Sequence, residues 1–485
     1  MVKQSRSDSK DDSFKKNTYH VSLFIFTRDL RLNDNLPLIS SLKNSEKVIP
    51  LFIFNPIQIS NTNQYKSDSC VQFMCESLID LNEDLRKYGS RLYYFNDHPE
   101  KVVETLIKNN KNIEAVYISK DYSPFSIKRE SDIKTICIKN KIDFIVEENH
   151  MLLGCNKVKK DNGDPYVKFT PYYRVAQKIK INNVVTNKFT NFISSKIKLQ
   201  NEYNGKLDKY YNYNDNPMKG GRRNALIILQ NKNLQKFQNY NNARDYPKYE
   251  TTKLSPYLKF GCVSVREVYW IFKKTLNTSS KLFTQLYWRD FYMTIIYYFP
   301  HSIGGPMKEN YKLKWENNKI KFKQWCDGFT GIPMVDAGMR QLNKTGWMHN
   351  RARMIVSNFL IKVLRIDWMW GEKYFASKLI DYDIFNNNMG WQWSSSTGTD
   401  SQPYFRIFNP WRQAEKYDHN CDYIKKWIPE LRNVPNIDIL NWATSYKKYK
   451  NTRNSENLIK YPKPIIDNFK SETEKTIIMY KNKIE

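Results

Sequence analysis

The chain has 485 residues, which is enough for two or three domains with large apolar cores. Its 78 Lys and Arg residues outnumber its 49 Asp and Glu residues, and the formal net charge of +29 favours a polyanionic partner such as nucleic acid. A compositional bias toward Lys, Asn, Ile and Tyr would produce the same excess, so the charge alone does not identify the partner.

The cysteines and the N-terminal residues indicate in which cellular compartment the protein is expected. The seven cysteines show no CxxC pair and no metal-ligand spacing, so we expect reduced, intracellular thiols and no bound metal. Residues 1–18 are polar and charged, which predicts disorder and argues against a secretory signal. No apolar run approaches the ~20 residues of a membrane-spanning helix.

Residues 19–150 alternate apolar runs with amphipathic helical patterns, and five strands and three helices are predicted there. The predicted strands are 21–26, 47–54, 91–95, 113–118 and 142–147, and the predicted helices are 71–88, 99–109 and 126–139. Strands separated by helices imply a doubly wound, five-stranded parallel sheet. No GxGxxG follows the first strand, so the usual dinucleotide-binding signature is missing.

The rest of the chain divides into a linker, a helical domain and a tail. Residues 151–245 are irregular and rich in Asn, Lys and Tyr, which indicates a long interdomain linker. Residues 246–476 carry helical, aromatic-rich patterns and predict an all-α domain, followed by a tail at 477–485. Within that domain, apolar residues at helical spacing predict a buried amphipathic helix at 351–364.

Polar and aromatic residues are dense around this buried helix. They are His349, Asn350, Arg351, Arg353, Asp381, Asp383, Asn386, Asn387, Asn388, Trp391 and Trp393. This grouping predicts a pocket for a large, planar, polar ligand. The apolar neighbours of Asp381 and Asp383 predict burial, and a buried carboxylate needs a partner, for which Arg353 is the obvious candidate. For His349 we favour a structural hydrogen-bonding role.

Several long motifs resemble the photolyase/cryptochrome family, and most closely its class I cyclobutane pyrimidine dimer (CPD) photolyases. They are TRDLRLNDN at 27–35, TTKLSPYLKFG at 251–261, QLYWRDFY at 285–292, GWMHNRARM at 346–354, LIDYD at 379–383 and NNNMGWQWSSSTGTDSQPYFRIFNP at 386–410. The resemblance implies an N-terminal α/β domain, a linker and an all-helical domain that binds FAD. It also implies light-driven repair, in which reduced, anionic FAD passes an electron to a flipped dimer, the ring opens and the electron returns.

The resemblance assigns residues to the cofactor. Hydroxyls and amides at the helix start near 251–255 suit a pyrophosphate, although the same pattern by itself is a helix cap. Asn387 matches the residue that faces the flavin N5 nitrogen, which favours the anionic reduced form. The cofactor-contacting residues that the resemblance implies are Tyr240, Thr251, Thr252, Lys253, Leu254, Ser255, Gln285, Trp288, Arg289, Asn350, Arg353, Asp381, Asp383 and Asn387.

Other residues are assigned to the lesion, to DNA and to electron transfer. The implied lesion-pocket residues are Gln285, Trp288, Asn350, Met354 and Trp393, whose aromatic faces would hold flipped bases. The implied DNA contacts are Arg244, Gln285, Trp288, Asn350, Arg351, Trp393, Arg406 and Gln413, with the arginines on phosphates. A single Trp is more often a packing residue, but the three that match the family's electron-transfer chain are Trp391, Trp368 and Trp315.

Two alternatives stay open at this point. Gln285 stands where bacterial class I enzymes carry Glu and is more like a (6-4) photolyase, whereas Asn350 and Met354 replace the two His that (6-4) repair uses for proton transfer. A cryptochrome, a blue-light receptor without repair activity, is supported only by the shared fold. Asn387 and the short predicted tail oppose it.

Expectations about further partners complete the sequence-based hypothesis. A second, antenna chromophore of folate or deazaflavin type is expected. Ile127 and Lys128 occupy the positions of an Asn-Glu pair in folate-binding relatives, so the sequence does not identify which chromophore it is. We expect a monomer that acts on damaged DNA without an obligate protein partner. Its location would be intracellular, in the nucleus or the cytoplasm, wherever the DNA is.

Overall fold

The computed structural model describes residues 18–311, 313–450 and 460–482. The disorder predicted for residues 1–18 therefore lies outside the described residues, except at residue 18. No helix of the described ranges is both long and apolar enough to cross a membrane.

The N-terminal domain contains five parallel strands in the order β3-β2-β1-β4-β5, which confirms the predicted doubly wound α/β fold. The strands are β1 Tyr19–Phe26, β2 Ser45–Ile53, β3 Tyr93–Phe95, β4 Ile113–Ser119 and β5 Asp143–Glu147. The helices between them are α1 Leu36–Asn44, α2 Pro56–Ile59, α3 Asp68–Arg86, α4 Pro99–Asn109 and α5 Pro124–Lys139. Strand order reverses between β1 and β4, and open α/β sheets bind ligands at such switch points.

The segment predicted as an irregular linker is more ordered than expected. It contains α6 Phe169–Ala176, α7 Arg222–Ile228, α8 Asn231–Leu234 and α9 Tyr240–Ala243, with 3-10 turns at Leu207–Tyr210 and Gln235–Phe237. Part of it covers the sheet, where Phe192 bridges to Val48 and the Tyr203 amide donates to the Tyr94 carbonyl at 2.6 Å. These contacts join distant residues, so local sequence patterns did not reveal them.

The C-terminal domain is all-helical, as predicted. Its helices are α10 Ser255–Lys259, α11 Val265–Thr275, α12 Lys281–Tyr298, α13 Lys319–Asp327, α14 Pro333–Thr345, α15 Asn350–Lys362, α16 Trp368–Lys378, α17 Ile384–Ser395, α18 Pro410–Tyr417, α19 Asp422–Trp427, α20 Asn436–Leu440, α21 Trp442–Lys450 and α22 Phe469–Lys481, with 3-10 turns at Pro300–Ser302 and Pro429–Leu431. The buried helix predicted at 351–364 is α15. The domain end predicted at 476 falls inside α22, because the buried Tyr480 stacks on Tyr404 and keeps this last helix docked.

The motif at 27–35 follows β1 and contacts the helical domain directly. The Leu30 amide donates to the Phe260 carbonyl at 3.0 Å, and the Arg31 guanidinium donates to the Gly261 carbonyl at 3.0 Å. Gly261 has a φ of +62°, and a Cβ built there would lie 2.1 Å from the Arg28 carbonyl oxygen. The two backbones therefore approach at a distance that only glycine permits.

Arg28 joins the two domains through its side chain. Its Nη2 donates to Asp383 at the start of α17, its Nη1 donates to Asp121 after β4 at 3.4 Å, and its Nε donates to the Lys259 carbonyl at 3.3 Å. Burial alone would raise the pKa of Asp383, but the Arg28 guanidinium and nearby Lys259 outweigh it and hold that pKa below its usual value. The interface thus depends on a buried, charged carboxylate.

We expect Gly261→Ala to destabilise the protein by at least about 2 kcal/mol, from about 1 kcal/mol of backbone strain plus about 1–3 kcal/mol of overpacking against the Arg28 carbonyl. Gly89→Ala is the matched control, because Gly89 has a φ of +69° but open space around its Cβ position. Denaturant unfolding of both variants measures the difference. Equal losses would contradict the close backbone approach at Gly261.

We expect Arg28→Met to destabilise by about 3 kcal/mol or more at neutral pH, because it removes the guanidinium that donates to both buried carboxylates, Asp121 and Asp383. A carboxyl with a depressed folded-state pKa contributes stability above its unfolded pKa and loses it as the pH falls through the folded value. Without Arg28, burial instead favours the protonated form of Asp383. The deficit should therefore shrink between pH 7 and pH ~4, as protonation removes the unpaired charges.

Unfolding midpoints of wild type, Arg28→Met and the charge-preserving Arg28→Lys across this pH range test the interpretation. Arg28→Lys should lose less stability than Arg28→Met at neutral pH. A deficit of Arg28→Met that stays constant with pH would mean that packing, and not the charge of Arg28, matters at the interface.

Candidate active site in the helical domain

A cavity of about 650 Å³ opens in the helical domain between α12, α15, α17 and the segment before α10. Many of the residues singled out in the sequence line it. They are Tyr240, Arg244, Thr251, Thr252, Lys253, Leu254, Ser255, Gln285, Trp288, Arg289, Asn350, Arg351, Arg353, Met354, Asp381, Asp383, Asn387, Trp391 and Trp393. Trp315, Trp368, Arg406 and Gln413 lie outside this lining. The fold therefore brings every predicted cofactor-contacting residue to one cavity.

His349 caps the helix that forms one wall of the cavity. Its Nδ1 accepts a hydrogen bond from the Arg351 amide at 3.1 Å, and the side chain is buried. Burial, reinforced by the positive charge of Arg351, lowers the pKa of His349 to about 4, so the ring is neutral near pH 7. With Nδ1 accepting, the proton lies on Nε2, which has no partner among the described atoms, and the residue is one of those that line the cavity. The buried donor is available to a polar ligand.

The predicted partner Arg353 pairs with Asp381, whereas the partner of Asp383 is Arg28 of the α/β domain and not Arg353. The Arg353 Nη2 lies 3.0 and 3.1 Å from the two Asp381 carboxylate oxygens, and its Nε donates to the Met348 carbonyl at 2.8 Å. The Ser255 hydroxyl also donates to Asp381, at 2.6 Å. The start of α10, the first turn of α15 and the segment before α17 are thereby fixed to one another.

Glu372 is a residue of this region that the sequence analysis did not assign. It is buried, and burial raises its pKa to about 7, against the hydrogen bond from Asn387. The Asn387 side-chain nitrogen donates to a Glu372 carboxylate oxygen at 2.9 Å and to the Glu372 carbonyl at 3.0 Å. The amide of Asn387 is thus oriented by α16. The sequence signal for Glu372 is its place in GEKYF at 371–375, a short stretch that also resembles the family.

The wall formed by α12 presents an amide and an indole ring. The Gln285 side-chain nitrogen reaches the Lys281 carbonyl only at 3.5 Å, which leaves the amide weakly engaged. The Trp288 ring stacks on Phe169 with centroids 3.7 Å apart and planes 9° apart. Phe169 belongs to the segment that was predicted to be linker, so one face of Trp288 is covered by a residue that sequence reasoning missed.

The three arginines predicted to contact phosphates are not equivalent. Arg351 is already held by Asp245, at 2.6 Å, and lies 4.2 Å above the Tyr417 ring. Arg244 lies 4.0 Å from the same carboxylate of Asp245. Arg406 is exposed at the tip of a turn, and its neighbour Phe405 is 63% exposed. Neither the pairing of Arg351 nor the exposed Phe405 was predicted.

The predicted electron-transfer tryptophans lie at different depths. Trp391 lines the cavity, Trp368 is buried at the start of α16, and the partly buried Trp315 has its ring centroid 6.4 Å from that of Tyr480. The Trp391 ring makes edge-on contacts with Phe375 at 5.0 Å and Trp325 at 6.1 Å. Trp325 is fully buried and was not among the predicted residues.

A second polar cluster lies at the C-terminal edge of the sheet, near the switch point between β1 and β4. Arg129 and His150 lie there close to Asp121 and Arg28. The Arg129 Nε and Nη2, the His150 Nε2 and the Thr27 hydroxyl are buried without a hydrogen-bond partner among the described atoms. Unpaired buried polar groups of this kind call for a ligand or water.

Comparison with known proteins agrees with this architecture. Residues 22–188 match the DNA photolyase family domain, and residues 282–482 match the FAD binding domain of DNA photolyase. A deoxyribodipyrimidine photo-lyase of Buchnera aphidicola subsp. Acyrthosiphon pisum is 36% identical over 484 residues, which cover 94% of this chain and 95% of the relative.

Solved structures of similar proteins have the same fold. An archaeal photolyase from Sulfolobus tokodaii, described with two FAD molecules, has a TM-score of 0.83 and 39% identity over 95% of this chain and 100% of its own. A cryptochrome of Synechocystis sp. PCC6803 has a TM-score of 0.86 and 27% identity over 96% of this chain and 100% of its own. With both family domains and nearly the full length of these relatives present, the chain belongs to the DNA photolyase family of FAD-binding DNA-repair lyases.

Proposed function

We propose that the protein splits cyclobutane pyrimidine dimers in DNA with the energy of blue or near-ultraviolet light. The observation that most directly supports this proposal is the part of the cavity wall formed by Asn350 and Met354. The Asn350 side-chain nitrogen lies 3.6 Å from the Met354 sulfur, and both residues line the cavity. Neither side chain relays protons. Splitting the ring breaks two C–C bonds and restores two C=C bonds with no net gain of protons, so this wall suits that reaction.

FAD fits the residues of the cavity. Hydroxyls and amides at 251–255 suit its diphosphate, the Arg353 and Asp381 pair offers polar contacts for the flavin, and the unpaired His349 Nε2 is a buried donor. When bound, FAD supplies the light-excited electron donor. The chain's own residues hold the cofactor, exclude water and orient the dimer beside it.

Gln285, Trp288 and Trp393 would hold the flipped dimer. Phe169 covers one face of Trp288, so the indole has one face left for a base. The weakly engaged amide of Gln285 can donate and accept, which matches the edge of a thymine. Arg244 and Arg406 would bind the phosphates on either side of the lesion.

A (6-4) photolyase is the alternative that Gln285 supports. Its chemistry needs a proton donor near the lesion, and among the described lining residues the histidine is His349. That ring caps α15 through Nδ1, and its pKa of about 4 keeps it neutral at physiological pH. Asn350 and Met354 supply no substitute, so CPD repair is favoured over (6-4) repair.

A second chromophore is also proposed, at the polar cluster beside β1 and β4. The unpaired donors of Arg129, His150 and Thr27 support a polar or anionic group there. The Sulfolobus tokodaii relative is described with two FAD molecules and the implication of a novel light-harvesting cofactor, which is consistent with a second chromophore in this family. We further propose that the protein is a monomer and that it acts on CPD lesions wherever the damaged DNA is located in the cell.

We expect the reduced, FAD-loaded protein to repair a CPD-containing duplex under light and to leave a (6-4) duplex unchanged. Gln285→Ala should lose repair yield and lesion affinity, because the base edge would face an unfilled polar position. Gln285→Glu is the control and should stay active. Chromatography of the two lesions before and after illumination measures the outcome. Repair of the (6-4) lesion alone would establish the alternative, and repair of neither would favour a light receptor.

We expect Trp391→Phe and Trp368→Phe each to reduce photoreduction of the bound flavin to near zero and to spare repair by chemically reduced protein, because these rings only deliver electrons to the cavity. Trp325→Phe is the matched control, since Trp325 also contacts Trp391. Flavin absorbance under illumination with an external thiol measures photoreduction. Loss of photoreduction in Trp325→Phe with retention in Trp368→Phe would show that electrons pass through α13 and not through Trp368.

A further inference from the structure

Lys362, the last residue of α15, is fully buried, with 0% of its surface exposed. Its Nζ donates to three oxygens, namely the Ser396 hydroxyl at 2.9 Å, the Pro403 carbonyl at 3.3 Å and the Arg406 carbonyl at 3.4 Å. None of the ion pairs found among the described residues includes Lys362, and burial alone lowers its pKa to about 7. The amino group of Lys362 is therefore buried and hydrogen-bonds only to uncharged oxygens.

The acceptors of Lys362 belong to the segment that carries Arg406. The Arg406 amide donates to the Pro403 carbonyl at 3.0 Å, which closes a turn of residues 403–406. Lys362 binds the carbonyl at each end of this turn. Phe405 and Arg406 of this turn are exposed.

The C-terminal helix completes the support of this turn. The Tyr480 ring of α22 stacks on Tyr404 with centroids 5.6 Å apart, and its hydroxyl donates to the Ser395 carbonyl at 2.6 Å. The Thr476 hydroxyl of the same helix donates to the Lys362 carbonyl at 2.8 Å. The Lys362 Nζ also lies 5.9 Å from the centroid of the Tyr480 ring, so the buried lysine and this aromatic ring support the turn together.

The hydrogen-bonding capacity of Lys362 matches this arrangement. In its protonated form the Lys362 amino group has three N–H donors, and three acceptors surround it. An apolar side chain of similar length would fill the space without the desolvation cost of a buried charge, so packing alone does not account for a lysine here. The lysine instead supplies the fixed geometry of the turn.

We propose that Lys362 is a positioning residue for DNA binding, which holds the turn of residues 403–406 so that Arg406 faces a phosphate of the bound strand. The proposal rests on the proposed function, because it takes DNA as the ligand of Arg406. Lys362 itself is buried and does not touch DNA; it acts through the two carbonyls of the turn.

The test compares the FAD-loaded full chain with Lys362→Met, which keeps the length of the side chain and removes its donors. Affinity for a CPD duplex should weaken about tenfold, the scale of one charge-assisted hydrogen bond. The slope of log affinity against log salt should fall by about 0.9, the share of one phosphate contact. Arg406→Ala should show the same two changes, and combining it with Lys362→Met should add little.

Thr476→Val is the matched control, because it removes a buried hydrogen bond to the Lys362 carbonyl and leaves the ammonium in place. It should keep the wild-type salt slope. A wild-type slope in Lys362→Met, or additive losses in the double variant, would overturn the proposal. If Lys362→Met loses its FAD, Lys362→Gln, which keeps two donors, replaces it, and an unchanged slope in that variant would equally overturn the proposal.

Hydrogen exchange of the Arg406 amide, measured without DNA, separates this proposal from the proposed function. That amide closes the turn, so it should exchange at least about tenfold faster in Lys362→Met than in wild type or Thr476→Val. Unchanged exchange would refute the positioning role even in a protein that repairs DNA. Failure of the wild-type protein to repair any lesion would refute the proposed function and leave the exchange result standing.

Discussion

A buried ion pair between Arg28 and Asp383 connects the two domains of this protein. Arg28 follows the first strand of the sheet, and Asp383 begins the helix that carries Asn387 and Trp391 to the cavity. Asp121 and the Lys259 carbonyl complete the surroundings of the guanidinium, so the charges are compensated although they are removed from water. The shape of the cavity in the helical domain consequently depends on a residue of the α/β domain.

The cavity combines satisfied charges with a few unsatisfied donors. Asp381 is bound by Arg353 and Ser255, which holds the wall rigid without leaving a free charge toward a ligand. The His349 Nε2 remains without a partner, and the Gln285 amide is only weakly bound. A wall of this kind suits a large, planar, polar ligand that can accept hydrogen bonds from these donors, and Lys253 and Arg289 in the same lining suit a ligand that also carries negative charge.

The net charge of +29 says little about where DNA is bound. Long-range attraction acts on the whole surface, whereas contacts depend on individual cations that remain free to meet phosphates. Arg351 is neutralised by Asp245, while Arg406 projects from a turn supported by a buried lysine. The few exposed arginines on well-supported backbone therefore indicate where DNA would bind better than the total net charge does.

The amino-acid sequence by itself determined the five parallel strands and the buried helix α15, and its family-like motifs predicted many of the residues that line the cavity. Apolar periodicity reports burial locally, and long motifs preserve the order of residues that a cavity needs. The pairing of Arg353 with Asp381 followed from the need of a buried carboxylate for a cation.

Only the tertiary structure decided which distant residues complete these local features. Phe169 stacks on Trp288, Glu372 orients Asn387, and Asp245 neutralises Arg351, across separations in sequence that no periodic pattern spans. The domain end placed at 476 fell inside α22 for the same reason, because the stacking of Tyr480 on Tyr404 is visible only after the chain has folded. Burial can be predicted from a sequence because buried positions repeat periodically along one helix or strand. The partner of a buried polar group usually lies on another element, so only the packing of the two elements decides which residue that partner is.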